Sequence, residues 1–428
     1  MTRMTPTAGV TVVGLDAAGA PPHPALAPVL AAAGLVVGAA RHLAVVPVPA
    51  GADTVALGPL APALHRLTEA VAGGVPAVVL ASGDPGLFGI VRRLRAAGLP
   101  LRVVPAVSSV AAAFARAGLP WDGAAVVTAH GRDPRPAVNA CRALPLVAVL
   151  TAPGAGAAEL GGGLIGWSRH LLVAEHLGTD AERIRAVTPE QAATETWADP
   201  HVVLSLAAPD AAPDLVDPAP DLVGSARDRI VAGGMRADNQ PAAAPAGGWA
   251  LPESRYAHRD SMITKSEVRA LVVARLRPRL GRLVWDVGAG SGSVGVECAL
   301  LGAAVLAVEQ DPRAGATIRA NATAHAVDVR LVTGRAPQAL ADLPEPDAVF
   351  VGGGGFDVLA AVVARQPERV VLTLAALDRV APAVGLLRAA GYTVEGSQLS
   401  AARLADLPGG SIRLAATNPV VVLTGERQ

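Results

Sequence analysis

A chain of 428 residues carries more sequence than one hydrophobic core usually organises, so two domains are expected. Thirty-six Lys+Arg balance thirty-six Asp+Glu and aromatic residues make up 3 %, which speaks against a nucleic-acid-binding surface and for a small ligand. Apolar residues reach 51 %, yet Gly, Pro or a charge interrupts each run before membrane-spanning length, so no membrane association is expected. Cys141 and Cys298 stand far apart without nearby histidines, which argues against a disulfide framework or a metal site and fits a reducing cytoplasm.

The chain opens on an apolar patch that Asp16, Pro21, Pro22 and Pro24 break, which reads as a first buried strand rather than a secretory signal. From there to about residue 206, Val/Leu-rich runs at 10–13, 77–80, 101–104, 124–128 and 146–150 alternate with Ala-rich helical stretches. This is an α/β pattern. Asp84 sits in ASGDPGLFG, the kind of sharp exposed loop that ends a strand, and is either a turn former or a ligand contact. Ser108 and Ser109 in VPAVSSV open a helix after a strand, so they either cap it or offer hydroxyls and free amides to a ligand. Between 209 and 248 the text turns to Asp, Pro, Ala and Gly without periodicity, and it is read as linker.

After the linker, RYAHRDSMITKSEVR gathers Arg255, His258, Arg259, Lys265 and Arg269, a cation density suited to a ligand with several carboxylates. Thr264 and Glu267 also have the spacing of a capping box for a helix over 265–276. LVWDVGAGSGSVGVECAL follows, in which Gly288, Gly290 and Gly292 come after a buried strand (283–287) and open a helix, so backbone must approach a ligand there. Glu309 ends the next strand (305–309), where a carboxylate can accept both hydroxyls of an adenosine ribose. Gly290, Gly292 and Gly295 also fit the dinucleotide pattern, which leaves an NAD-dependent oxidoreductase as the rival reading. Asp286 favours S-adenosylmethionine (SAM), because it can pair with the methionine ammonium and would repel a pyrophosphate. A further strand ends at 350–351, and late runs at 392–399 and 420–423 suggest an antiparallel finish to a mostly parallel sheet.

Taken in order, VVGL, ARHLAVVP, ASGDPGLFG, VPAVSSV, GLPW and VVTAHGR resemble the tetrapyrrole methylases that act on the corrin ring's C5. LPESRYAH, MITKSEVRA, WDVGAGSGSVGVE, AVEQDP, GRAPQAL and PDAVFVGGGG look like the partner enzymes that methylate C15 and decarboxylate the C12 acetate. The chain thus resembles the fused precorrin-6Y C5,15-methyltransferases of cobalamin biosynthesis, and the match spans nearly everything but the linker. The resemblance implies a two-lobed tetrapyrrole-methylase domain over 1–207, a linker over 208–250 and a Rossmann-like SAM-dependent methyltransferase domain over 251–428. It implies one SAM per domain, a tetrapyrrole substrate converted to precorrin-8X, and a cytoplasmic, homo-oligomeric enzyme. Gly83, Asp84, Ser108 and Ser109 would serve the first SAM site; Thr264, the turn of Gly288, Ala289, Gly290, Ser291 and Gly292, Glu309 and Ala336 would line the second. Arg255, His258, Arg259 and Lys265 are the expected substrate contacts. One departure is the Gly14 to Gly19 loop, GLDAAG where many such methylases read G-x-G-P-G, and it motivates a second rival: a corrinoid-binding protein with one inactive half.

Overall fold

The computed structural model describes residues 9–16, 27–207, 249–259 and 263–427. Most of the expected linker therefore lies outside the described residues.

The first sheet contains β1 (Val10–Leu15), β2 (Leu35–Gly38), β3 (Asp53–Ala56), β4 (Ala77–Ser82) and β5 (Leu101–Val104). Their order is β3-β2-β4-β1-β5, with every neighbouring pair parallel. Both faces are covered, because consecutive residues belong to different cores: Val12, Val37 and Val79 pack on one side, Val13, Val36 and Val78 on the other. That is why these strands read as unbroken apolar runs rather than alternation. The second sheet holds β6 (Ala125–Thr128), β7 (Leu146–Leu150), β8 (Arg169–Glu175), β9 (Arg183–Val187) and β10 (His201–Ala207) in the order β6-β7-β10-β8-β9. Only its β6–β7 pair is parallel. Two sheets in the first half give the two lobes that were expected.

The third sheet is built from β11 (Leu283–Val287), β12 (Ala304–Glu309), β13 (Arg330–Thr333), β14 (Ala348–Val351), β15 (Arg369–Leu374) and β16 (Thr393–Leu399). A separate hairpin of β17 (Ala402–Asp406) and β18 (Ile412–Ala416) follows, before β19 (Val420–Glu426). The order is β13-β12-β11-β14-β15-β19-β16, parallel up to β15 and antiparallel beyond it. The antiparallel finish matches expectation, but β19 inserts between β15 and β16, and the β17–β18 hairpin was not anticipated. Again both faces are buried: Leu283, Trp285 and Val287 lie in one core, Val284 and Val305 in the other.

The two halves meet at the amino ends of the third sheet's strands. Asn139 donates to the Gly281 carbonyl at 3.2 Å, buried Arg169 pairs with Asp328 at 2.6 Å, and Trp167 joins the core formed by Leu283 and Trp285. The carboxyl ends of those strands, where loops can host a ligand, are left facing away from this seam.

Candidate functional sites

Gly288, the first residue after β11, adopts φ +72°, and a Cβ there would lie 2.8 Å from the Gly353 nitrogen. A side chain is thus excluded on two counts, backbone conformation and the neighbouring loop after β14. Gly290 also has positive φ (+57°), but a Cβ there would meet nothing within 4 Å. It faces open space. The turn is held from below: Glu309 accepts the Gly290 amide through Oε2 and the Asp311 amide through Oε1, both at 2.9 Å. Buried Asn321 donates to the Ser291 carbonyl at 2.8 Å and also to the Ala257 carbonyl at 2.9 Å, tying the segment before the domain's first helix to the turn.

Above the turn is a cavity of about 740 Å³. Its wall includes Gly288, Ala289, Gly290 and Ser291 from the turn, Thr264, Lys265 and Glu267 from the helix entrance, Phe350, Gly352 and Thr373 from strand ends, and Ala416, Thr417 and Asn418 from the hairpin side. A second cavity of about 330 Å³ shares Gly352 and Thr373 and adds Gly353, Gly354, Gly355 and Arg379. The glycine run after β14 carries the same signal as the Gly288 turn, flexible backbone directly after a buried strand, and sequence reasoning gave it no role.

The remaining expected residues divide. Gly292 packs toward Ile318 and does not line the larger cavity, and neither do Glu309 and Ala336. Asp286 is buried beneath the turn at 1 % exposure, where Oδ2 accepts the Gly295 amide at 2.9 Å and Oδ1 has no partner. Burial pushes its carboxyl up to about 7, against the Gly295 hydrogen bond and with the Glu309 charge adding to the rise. It is not among the residues that line the cavity.

The structure divides the cation cluster. Arg269 is wholly buried: its Nε donates to Glu297 Oε1 at 2.6 Å, its Nη1 to the Thr264 carbonyl at 2.5 Å, and its Nη2 to the Leu251 carbonyl. A guanidinium so engaged holds the segment together and is not available to a substrate carboxylate. Arg259 is exposed and paired with Asp311 at 2.9 Å, while Arg255 and His258 are exposed and line neither cavity. Of the expected substrate contacts, Lys265 alone lines the larger cavity. The capping box is also not formed, since the helix starts at Ser266 with Lys265 at its cap and without a side-chain cap bond. Glu267 instead pairs with Arg403 of the hairpin, as does Glu253 at 2.7 Å. Burial is the largest single influence on Glu253 and opposes its ionisation, but the Arg403 hydrogen bond, the backbone amide hydrogen bonds and the Arg403 charge together outweigh it and hold the carboxyl at about 2.

In the first half, the carboxyl ends of β1, β4 and β5 converge. A Cβ on Gly14 would lie 2.2 Å from the Gly83 carbonyl oxygen, and one on Gly83 (φ +60°) 3.2 Å from Ser108 Cα. Gly83, Asp84 and Ser108 are therefore brought to one place. Asp84 Oδ1 accepts the Gly86 amide at 2.8 Å and Ser108 Oγ accepts the Ala111 amide at 3.0 Å, so turn and cap are built by these side chains; Ser109 is exposed beside them. Of the divergent loop, Gly14, Leu15 and Asp16 are described and the rest lies outside the described residues.

Known proteins decide between the readings. A precorrin-6Y C5,15-methyltransferase (decarboxylating) of Mycobacterium tuberculosis is 34 % identical over 361 residues, covering 83 % of this chain and 79 % of that protein. This chain belongs to the precorrin-6Y C5,15-methyltransferase family. A relative from Sinorhizobium sp with the same name is 38 % identical over 312 residues, covering 70 % of this chain and 67 % of its own. The tetrapyrrole (corrin/porphyrin) methylase model matches residues 24–193 and the precorrin methyltransferase domain model residues 255–422, so this chain joins two methylase domains. A probable cobalt-precorrin-6B C15-methyltransferase (decarboxylating) of Pyrobaculum calidifontis is 35 % identical over 184 residues, which is 41 % of this chain and 94 % of that relative. Membership in this family removes the oxidoreductase reading.

Proposed function

We propose that this enzyme of cobalamin biosynthesis methylates precorrin-6Y at C5 in its first half, and in its second half methylates C15 and releases the C12 acetate carboxyl as carbon dioxide. Precorrin-8X is the product of the combined steps. The observation that carries the second half's assignment is the cavity of about 740 Å³ floored by Gly288, Ala289, Gly290 and Ser291. A relative of that half's size named for the C15 and decarboxylation steps alone supports the division. The domains are taken to run over 1–207 and 251–428, joined by 208–250.

Methyl transfer by this family uses SAM, whose sulfonium supplies an already activated methyl group. One SAM in each half is proposed. In the second half, Gly288 and Gly290 keep the turn free of side chains so that backbone can meet the nucleoside, and Glu309 holds the Gly290 amide in place. Thr264 and Ser291 supply hydroxyls at the wall, and Lys265 supplies a cation for a tetrapyrrole carboxylate. In the first half Gly83, Asp84, Ser108 and Ser109 form the corresponding site. The chain's contribution is in-line positioning. Electron-rich ring carbons accept methyl, and the macrocycle takes up the electron pair left by the departing carboxyl.

The test separates the halves. Asp84→Ala is expected to stop C5 methylation while a C15-methylated, decarboxylated product still forms, and Gly290→Val to do the reverse by filling the open space at the turn. Loss of both reactions in either folded variant overturns the division of labour.

A further inference from the structure

We propose that His42 and Ser82 form a proton-accepting pair beside the first half's ligand loop, with Arg41 holding a carboxylate of the tetrapyrrole. The inference rests on placing C5 methylation in that half. Ser82 is the last residue of β4, is exposed, and directly precedes Gly83 and Asp84. His42, on the short helix Ala40–Val45 after β2, is 6 % exposed, and its Nε2 lies 2.9 Å from Ser82 Oγ. Arg41 Nη2 donates to the same Oγ at 3.2 Å, while the Arg41 guanidinium remains exposed. With that donor occupying one lone pair of the hydroxyl, the Ser82 proton is free to point at Nε2.

The relay takes the tautomer with its proton on Nδ1 and Nε2 as acceptor; Nδ1 is buried without a hydrogen-bond partner, so no contact there opposes it. Burial, and then the Arg41 charge, lower the His42 pKa against the Leu80 carbonyl, so the ring is neutral at neutral pH. A neutral, buried imidazole bonded to an exposed hydroxyl is the arrangement of a general base reaching a ligand through a relay. Simple positioning of a methyl donor has no use for one.

The C5 reaction does. When a ring carbon that bears hydrogen gains a methyl group, the new C–CH3 bond forms as the S–CH3 bond breaks, and the carbon must then lose its hydrogen to restore conjugation. The C–H electron pair returns to the ring, the proton passes to Ser82 Oγ, and the hydroxyl's own proton moves to His42 Nε2, from which it is later lost to water. The products are the methylated tetrapyrrole and S-adenosylhomocysteine, and no other reactant is needed. Arg41, beside the same hydroxyl, is placed to pair with one of the substrate's carboxylates.

His42→Gln separates proton transfer from positioning, because the amide oxygen still accepts from Ser82 but cannot take its proton. His42→Gln and Ser82→Ala are expected to lower kcat for C5 methylation about 10²–10⁴-fold, the usual contribution of a general base, with the KM for SAM unchanged. C15 methylation in the same protein is expected to stay intact. Nitrogen-15 spectra of the wild-type protein are expected to show His42 as the neutral Nδ1–H tautomer at pH 7. Full C5 activity in His42→Gln, alongside a C5-dead Asp84→Ala, overturns the relay and leaves the division of labour standing. Loss of C15 methylation in place of C5 overturns that division, and an imidazolium at pH 7 overturns the relay independently of any variant's folding.

Discussion

Arg269 Nε lies 2.6 Å from Glu297 Oε1, and both side chains are wholly buried. Glu297 also accepts the Ala250 and Leu251 amides and the Tyr256 hydroxyl, while Arg269 stacks over the Tyr256 ring at 4.8 Å. One ion pair between two helices thus organises the strap at 249–256, which precedes Thr264 and Lys265 of the larger cavity's wall.

Removing one partner strands the other charge in the core. Arg269→Met is expected to cost about 3–5 kcal/mol, as for other broken buried pairs, whereas Arg259→Gln at the exposed Asp311 pair should cost less than about 1 kcal/mol. Chemical denaturation of the full chain checks both, and equal costs would show that the buried pair does not hold the strap.

Glu309 spends both oxygens on backbone amides, of Gly290 and Asp311. Glu309→Ala leaves those amides unpaired and loosens the turn, so SAM affinity is expected to fall by about 1–3 kcal/mol, the ordinary cost of unpaired polar partners. Glu309→Gln keeps one acceptor and should lose less. Titration calorimetry reads both, and unchanged affinity in Glu309→Ala would place the nucleoside elsewhere.

Asp286 gives a pH signature. Its folded value of about 7 is above an unfolded value near 3.9, so between them the folded chain keeps a proton that the unfolded chain has released. Stability attributable to this group therefore falls as pH rises from about 4 to about 7, at up to ~1.4 kcal/mol per pH unit, and is level above. The difference in unfolding free energy between wild type and Asp286→Asn should show that slope. If SAM's ammonium moves against the unpartnered Oδ1 on binding, ligand addition near pH 6 also releases a proton, which calorimetry in two buffers of different ionisation enthalpy detects.

Strands buried on both faces were legible because their apolar runs are nearly unbroken, as in β1, β7 and β11, where Thr11 and Asp286 are the polar exceptions. Those missed break the pattern for physical reasons. β8 and β10 begin or end on Arg169, Glu175 and His201, which read as surface residues but are buried with partners: Glu175 with Arg183, Arg169 with Asp328, and His201 with the Ala157 amide. The β17–β18 hairpin leaves Leu404 and Leu414 71 % and 66 % exposed, so no burial pattern marks it as a sheet facing a core. At the site, the glycine turn was legible because positive φ has few solutions. The roles of the cations were not, since Glu297, which claims Arg269, lies 28 residues away on another helix, and nothing local distinguishes Arg269 from Lys265.

That distinction sets the substrate prediction. A tetrapyrrole with several acetate and propionate groups binds a chain of zero formal charge only where cations are locally exposed to it, and at the larger cavity Lys265 meets that condition. Arg259 is committed to Asp311, and Arg255 stands outside both cavities. Lys265→Gln is expected to raise the KM for the tetrapyrrole in C15 methylation several-fold and to flatten its dependence on salt, because one screened attraction is lost. SAM affinity should stay near wild type, since the backbone turn and not the ammonium forms its floor. The double variant Arg255→Gln, Arg259→Gln should leave both parameters nearly unchanged. Steady-state kinetics at low and high ionic strength distinguish the cases: a large KM effect in the double variant with none in Lys265→Gln would move the substrate from the cavity to the exposed face of the strap.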